Sequence, residues 1–325
     1  MLYNISTKPL VSIIIPTYNR AEYLIIAINS VLAQTYRNFE LLILDNNSSD
    51  HTQNIISSYS DTRIKTIKHL VNIGGIPNWL YGMSWAKGEF FTILGDDDYY
   101  KPDFIQARVN AFIKFPDVMV VFSDHDTCDE NGLVTLSPRK LISQNAVELS
   151  GNDLLRTLDN SYRSWQIGSG LYKRDPIVRW WAECIHAGKA FDTALQVLIA
   201  CCASAVFIPD KGLVYRSHTE QDSRIGGVKL IIGIVNAYLE PLIYSNNKMY
   251  SKELKKGALW ALHLLGISAY HRGDKDQARQ IVRFSLYVCL WNIKTWYIIF
   301  LIYMPNFVIK FIKLIKKQFM RTWSQ

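Results

Sequence analysis

Several features that would assign a chain to a class at once are scarce or missing here. Its five cysteines, Cys128, Cys184, Cys201, Cys202 and Cys289, show no CxxC spacing and none of the density of a disulfide scaffold, so a reducing compartment is expected, with the adjacent Cys201 and Cys202 packing as small apolar residues. Residues 1–10 lack the basic-then-apolar order of a secretory signal, which makes the cytoplasm the expected location. The uncharged stretch 296–309 is fourteen residues long, short of the roughly 20 that a bilayer-spanning helix needs. The first apolar run leads into PTYNR, residues 16–20, without the glycine-rich turn of a dinucleotide-binding unit. A nucleic-acid-binding motif is also missing, and the basic residues near the carboxyl end are mixed with apolar ones, so the net charge of +8 calls for some other anionic partner.

What is present is enough for a large core. With 325 residues, 49% hydrophobic and 13% aromatic, the chain can bury one large core or one core plus a smaller appended unit. The first 125 residues alternate β-rich runs with helical patterns, which predicts βαβ units and a largely parallel sheet. Strands are expected at 11–15, 41–44, 63–68, 89–94 and 118–123, and helices at 21–34, 77–86 and 194–203. Ligands of open α/β sheets sit beyond the carboxyl ends of the strands. Three polar segments fall there: Thr17, Tyr18 and Asn19, then Asp45, Asn46 and Asn47, then Asp96, Asp97 and Asp98.

From about residue 228 onward the strand signals cease and long helical patterns take over, so the chain divides into residues 1–225 and a helical region, 226–325. That region ends amphipathically. Phe307, Val308, Phe311, Ile312, Leu314 and Ile315 share one arc of a helical projection, and Lys310, Lys313, Lys316 and Lys317 the other, which fits a helix lying on an anionic membrane surface or a basic helix docked on its own domain.

Three consecutive carboxylates closing a buried strand repel one another unless a cation or donors neutralise them. A hard divalent ion, Mn²⁺ or Mg²⁺, held by carboxylates together with substrate phosphates, meets that need. A solvated helix amino-terminus, with Pro102 and Asp103 starting a helix, meets it as well.

Residues 11–19 (VSIIIPTYN), 44–50 (LDNNSSD), 72–75 (NIGG), 86–89 (AKGE) and 94–99 (LGDDDY) follow the order and spacing of the family 2 glycosyltransferases, which the chain resembles over roughly residues 10–220. That resemblance implies a GT-A fold, Rossmann-like with a mostly parallel sheet flanked by helices, and inverting transfer from a nucleoside diphosphate sugar, UDP-linked in the first place. It also implies roles for residues. Pro16, Thr17, Tyr18 and Asn19 would wrap the nucleotide, Asp45 would read the base edge, and Asn72, Gly74, Asp96, Gly168 and Arg216 would complete the donor site. Asp97, Asp98 and His218 would meet the metal, and Asp192 would be the catalytic base. Without the resemblance, an aspartate just before a helix reads as an N-cap, and the segment 215–218 as the solvated end of a surface strand.

This chain departs from the family's pattern at three positions: Asn46 follows Asp45 where a second acid is common, Gly95 stands at the first acidic position of the metal motif, and Phe191 replaces the usual Glu before Asp192. The expected acceptor is a saccharide or lipid-linked saccharide of surface polysaccharide synthesis, and the expected location the inner face of the cell membrane. A nucleotidyltransferase would share the layered fold but needs a basic, glycine-rich first loop. The alternative of another class is a noncatalytic partner in a membrane-bound glycan assembly complex, which Gly95 and Phe191 keep open.

Overall fold

The structure, a computed structural model, describes residues 7–135, 142–159, 165–178, 190–218, 232–238, 251–271 and 274–288. The amphipathic end, residues 300–325 included, lies outside the described residues, as do His186, Cys184 and Cys289.

Strand β1 (Val11–Thr17) and strand β2 (Phe39–Asp45) are buried at every position, as apolar runs covered on both faces of a parallel sheet should be. Successive side chains point to opposite faces. Thus Val11, Ile13 and Ile15 pack with Leu24, Ile28 and Val31 of helix α1 (Ala21–Leu32), whereas Ile14 packs with Leu42, Leu44 and Met83 on the other side.

The chain continues through α2 (Thr52–Ser57), β3 (Ile64–Lys68), α3 (Gly75–Trp85), β4 (Phe90–Ile93), β5 (Tyr99–Tyr100), α4 (Phe104–Lys114), β6 (Val120–Phe122), β7 (His125–Cys128) and β8 (Val134–Thr135). It then forms β9 (Val147–Ser150), α5 (Gly151–Asp159), a 3-10 turn at Ile167–Ser169, β10 (Leu171–Lys173), α6 (Phe191–Cys202), β11 (Ser204–Phe207), β12 (Leu213–Arg216), α7 (Ser251–His271) and α8 (Lys275–Val288). Every strand and helix expected between residues 11 and 203 has a counterpart here, with ends displaced by up to three residues.

Eight strands form one sheet in the order β3-β2-β1-β4-β10-β6-β11-β9. Strands β3, β2, β1 and β4 run parallel, β10 is antiparallel to both neighbours, and β9 is antiparallel to β11. The order runs outward from β1 through β2 to β3 and then returns across β1 to β4. That reversal makes the carboxyl ends of β1 and β4 the place where loops part and a crevice opens. A smaller sheet, β5-β12-β7-β8, flanks it. Helix α7 is not an independent layer: Leu254 and Ala258 share one buried cluster with Leu154 and Leu155 of α5, and Tyr238 lies against Gly257.

Candidate functional site

Register brings the first two turns abreast, because Thr17 pairs with Asp45 at the end of the β1–β2 ladder. Asn19 (φ 53°) and Asn47 (φ 66°) both adopt the left-handed conformation that asparagine tolerates better than most residues. The turns then clasp. The Asn19 amide donates to Ser48 Oγ at 2.9 Å, and the Ser49 amide to Asn19 Oδ1 at 2.8 Å. Asp45 is fully buried; its Oδ1 accepts from the Ser48 amide at 2.8 Å and its Oδ2 from Gln53 Nε2. A third loop joins through Asn46, which donates to Asn72 Oδ1 at 2.9 Å, while the Gly74 amide (φ 88°) bonds the same oxygen at 2.9 Å. Pro16, Thr17, Tyr18, Asn19, Asp45, Asn72 and Gly74 therefore gather around the end of β1 and β2, with Pro16, Thr17 and Asp45 buried. Tyr18, 45% exposed, is their open face.

Beyond β4 the chain turns sharply, with the Asp98 amide bonded to the Gly95 carbonyl at 3.1 Å. Gly95 has a local reason to be glycine. A Cβ there would lie 2.8 Å from Asp97 Oδ1 and 3.1 Å from Asp98 Oδ2, since both carboxylates fold back over it.

Strand β12 closes the turn from the far end of the chain. The Arg216 amide donates to Asp98 Oδ1 at 2.8 Å, and His218 Nε2 lies 2.8 Å from Asp97 Oδ2. Arg216, the last residue of β12, and His218 just beyond it both contact Tyr23: its ring stacks on His218 at 5.6 Å and lies 5.0 Å from the Arg216 guanidinium. Arg20 reaches the same His218 nitrogen at 3.1 Å. One imidazole nitrogen either donates or accepts, so it satisfies Asp97 or Arg20, not both at once.

The acids carry the mark of their crowding. Burial first, and then the Asp97 charge, push the Asp96 carboxyl up to about 7 against the pull of Arg20 and the Tyr18 amide. Asp98 lies well above the usual carboxylate range for the same two causes, in the same order, with the Arg216 amide opposing. Among the described residues no three His, Cys, Asp or Glu side chains converge as a ready-made metal cage. The donor chemistry still suits a hard cation: Asp97, whose side chain is 19% exposed, and His218 are an oxygen and a nitrogen ligand at one spot, and a diphosphate can supply the remaining oxygens.

Arg216 differs from expectation in the direction it faces. It is 2% exposed, Nε donates to the Asp97 carbonyl at 3.0 Å, and Nη1 donates to the carbonyls of Asp129 and Glu130 at 3.0 and 3.2 Å. Its guanidinium braces the acidic turn from behind.

Gly168 lies beneath the site in the 3-10 turn. A Cβ there would meet the Ile93 carbonyl at 3.0 Å, and its own carbonyl accepts from Tyr100 Oη at 2.9 Å. Below it runs a network the sequence did not reveal. Arg108, fully buried, stacks 3.6 Å over Phe104 and donates to the Ser169 carbonyl at 3.0 Å, Ser123 Oγ at 2.6 Å and Asp210 Oδ2 at 2.9 Å.

Asp192 occupies the first turn of α6, one turn before Gln196, whose Nε2 donates to the Trp165 carbonyl at 2.7 Å. The N-cap position belongs to Ala190, so the capping role considered for Asp192 does not apply. The helix begins three residues earlier than expected because Phe191 buries itself edge-on against Trp79 at 4.9 Å. Burial raises the Asp192 pKa, with the Thr193 amide at 2.7 Å pulling it back. Among the described residues no hydrogen bond or ion pair joins Asp192 to the acidic turn. A depression of about 280 Å³ lined by Lys87, Glu89, Lys173 and Arg174 sits at the other end of β4, away from these groups.

A helix-wrapped, mostly parallel sheet that opens at its strand reversal onto an acidic turn is the GT-A architecture. The profile of glycosyl transferase family 2 matches residues 12–179, more than half of the chain, and the chain belongs to that family. An uncharacterized glycosyltransferase of Rickettsia typhi is 36% identical over 154 residues, 46% of this chain and 48% of that protein. The Escherichia coli UDP-Glc:alpha-D-GlcNAc-diphosphoundecaprenol beta-1,3-glucosyltransferase WfgD is 31% identical over 134 residues, 41% of this chain and 53% of its own. The matches thus span about half the length of these curated relatives. Among solved structures, Staphylococcus aureus TarS residues 1–349 superposes with a TM-score of 0.56 at 18% identity, covering 83% of this chain and 89% of that one. The mannosyltransferase PcManGT of Pyrobaculum calidifontis, solved with GDP-Man and Mn²⁺, superposes at 0.52 with 16% identity, covering 92% and 88%. At such identities the likeness shows the fold alone. No described helix is long and apolar enough to cross a membrane.

Proposed function

We propose that the chain is an inverting glycosyltransferase that moves a sugar from a nucleoside diphosphate sugar, a UDP-sugar in the first place, to a hydroxyl of a saccharide or lipid-linked saccharide in surface polysaccharide synthesis. The observation that carries this reading is the acidic turn clasped by β12, with Asp97 against His218 and Asp98 against the Arg216 amide, at the crevice beyond the carboxyl ends of β1 and β4. The description of WfgD supports the UDP-linked donor and the lipid-linked acceptor.

In this reading the 16–19 turn, Asn72 and Gly74 enclose the nucleotide, and Asp45, fixed by Ser48 and Gln53, faces the base edge. Asp96 meets the ribose or the sugar. Asp97 and His218, with Asp98 beside them, hold Mn²⁺ or Mg²⁺. When bound, that cation supplies the positive charge that offsets the negative charge growing on the departing diphosphate. Arg216 acts as a positioning residue, because its donors hold the backbone on both sides of the site. Gly168 keeps the floor close, and Asp192 takes the proton of the attacking hydroxyl. The residues 226–325 are read as a helical extension whose basic end, beyond the described residues, rests on the anionic inner face of the membrane.

Donor hydrolysis without acceptor tests the reading. Slow release of nucleoside diphosphate that requires Mn²⁺ or Mg²⁺ is the expected outcome. Binding of donor with no turnover under any acceptor would instead favour the noncatalytic partner, a reading supported by Gly95 and by Phe191 buried against Trp79. A thermal-shift screen of nucleotide sugars with Mn²⁺ identifies the donor, because a ligand that binds only the folded state stabilises it by mass action.

A further inference from the structure

Between Thr62 and Gly88 the chain carries Arg63, Lys65, Lys68 and Lys87 but no aspartate or glutamate. The large apolar side chains that this segment leaves exposed are Leu70, Val71, Tyr81 and Trp85, and they follow one another as a strip. Leu70 is 95% exposed and Val71 62%, at the tip of the turn that follows β3, the edge strand of the large sheet. His69 connects them to α3, since its Nε2 lies 2.9 Å from Asn78 Oδ1 and its ring meets Tyr81 edge-on at 4.9 Å. The Tyr81 ring is in turn 6.2 Å from that of Trp85, which is half exposed.

A contiguous exposed apolar strip on a folded chain marks an interaction surface, and the chemistry around this one selects the partner. Aliphatic side chains lead at the tip, a tyrosine and a tryptophan stand behind them, and Lys68 and Lys87, both exposed, flank the strip. Arg63 and Lys65 are already paired, with Asp61 at 2.7 Å and Glu40 at 2.5 Å. Tyrosine and tryptophan favour the headgroup level of a bilayer, lysines are drawn to anionic lipid, and short apolar side chains enter the acyl boundary. A second copy of the chain fits poorly. A two-fold contact sets the same patch against itself, so Lys68 would meet like charge across the axis, with no acid in the strip to answer it.

We propose that Leu70 and Val71, backed by Tyr81, Trp85, Lys68 and Lys87, form a docking surface for anionic phospholipid. The turn that carries it continues directly into Asn72 and Gly74, so docking holds the crevice at the bilayer edge. This docking is argued from the patch itself and is separate from any contact of the carboxyl end; only its use in reaching a lipid-linked acceptor rests on the function proposed above.

The test is sedimentation of the full chain with vesicles of phosphatidylcholine containing phosphatidylglycerol, and with pure phosphatidylcholine. The intact chain should bind the mixed vesicles in preference to the neutral ones. Leu70→Glu with Val71→Glu should weaken that binding on the order of tenfold, since the two side chains no longer leave water. Lys68→Glu with Lys87→Glu should weaken it and flatten its salt dependence. Both pairs are at the surface, and an unchanged melting temperature together with retained nucleotide binding shows that the fold and the donor site are intact. Vesicle binding by the Leu70/Val71 variant equal to that of the intact chain would overturn the proposal. So would a dimer in sedimentation velocity that the same variant converts to monomer, which would make the strip a contact between copies.

Discussion

Asp192 offers two readouts that should move in opposite directions on one substitution. As base it must be ionised, and its raised pKa places the acid limb of the rate profile above the range of an ordinary carboxylate. A turnover rate that stays flat down to ordinary carboxylate pH would count against it. A group whose folded pKa exceeds its unfolded value adds stability below the unfolded value, and that contribution is lost as pH rises through the folded one. Asp192→Asn should therefore cut turnover by about 10²- to 10⁴-fold with donor binding spared. Its melting temperature relative to the intact chain should improve from acid to alkaline pH. Gly95→Ala separates fold from site in another way. The atoms its Cβ would strike are carboxylate ends of Asp97 and Asp98, which can swing aside, so stability should change little. Nucleotide affinity in the presence of Mn²⁺ should fall by about tenfold, equivalent to roughly 1.4 kcal/mol, because Asp97 can no longer hold its place beside His218. Isothermal titration of the variant decides this.

Between elements, the tightest approach near the site is α3 on the sheet. A Cβ at Gly82 would come within 2.3 Å of Leu44 Cδ1 and 2.7 Å of Ile14 Cγ2, in a cluster with no slack. Gly82→Ala should cost about 1–3 kcal/mol, measured by urea unfolding. Arg108 joins α4 to the 3-10 turn and to Asp210. Arg108→Met leaves the Ser169 carbonyl and Ser123 Oγ without their donor, and about 3 kcal/mol of stability should go with it. The parallel half of the sheet was legible in the sequence because VSIIIPT and FELLILD are long runs buried on both faces. Strand β10 was not, since Leu171–Lys173 is three residues long, includes a lysine and takes its place only by pairing with β4 and β6. The small sheet is built from pieces of two to four residues that carry no periodicity. At the site, the acidic turn and the loops after β1 and β2 stood out by composition and order. Arg108 did not, because in sequence it is one more cation on an amphipathic helix, and its partners Ser123, Ser169 and Asp210 are remote along the chain. The direction of Arg216 was hidden for a similar reason: an arginine two residues before a histidine reads as a donor-site residue until the carbonyls of Asp97, Asp129 and Glu130 are seen around it.

Taken whole, the molecule stores its site in two distant stretches of chain. Residues 12–179 carry the family profile, yet β11, which lies between β6 and β9, and β12, which covers the acidic turn, come later. A fragment ending at residue 179 should accordingly bind no nucleoside diphosphate and unfold without a cooperative transition. Calorimetry with and without UDP and Mn²⁺ checks both, and normal binding by the fragment would show that the clasp is dispensable. The long span between Asp97 and His218 also has a temporal side. During translation the acidic turn leaves the ribosome far ahead of the strand that fastens it, so a half-made chain holds an unlatched crevice until synthesis has passed His218.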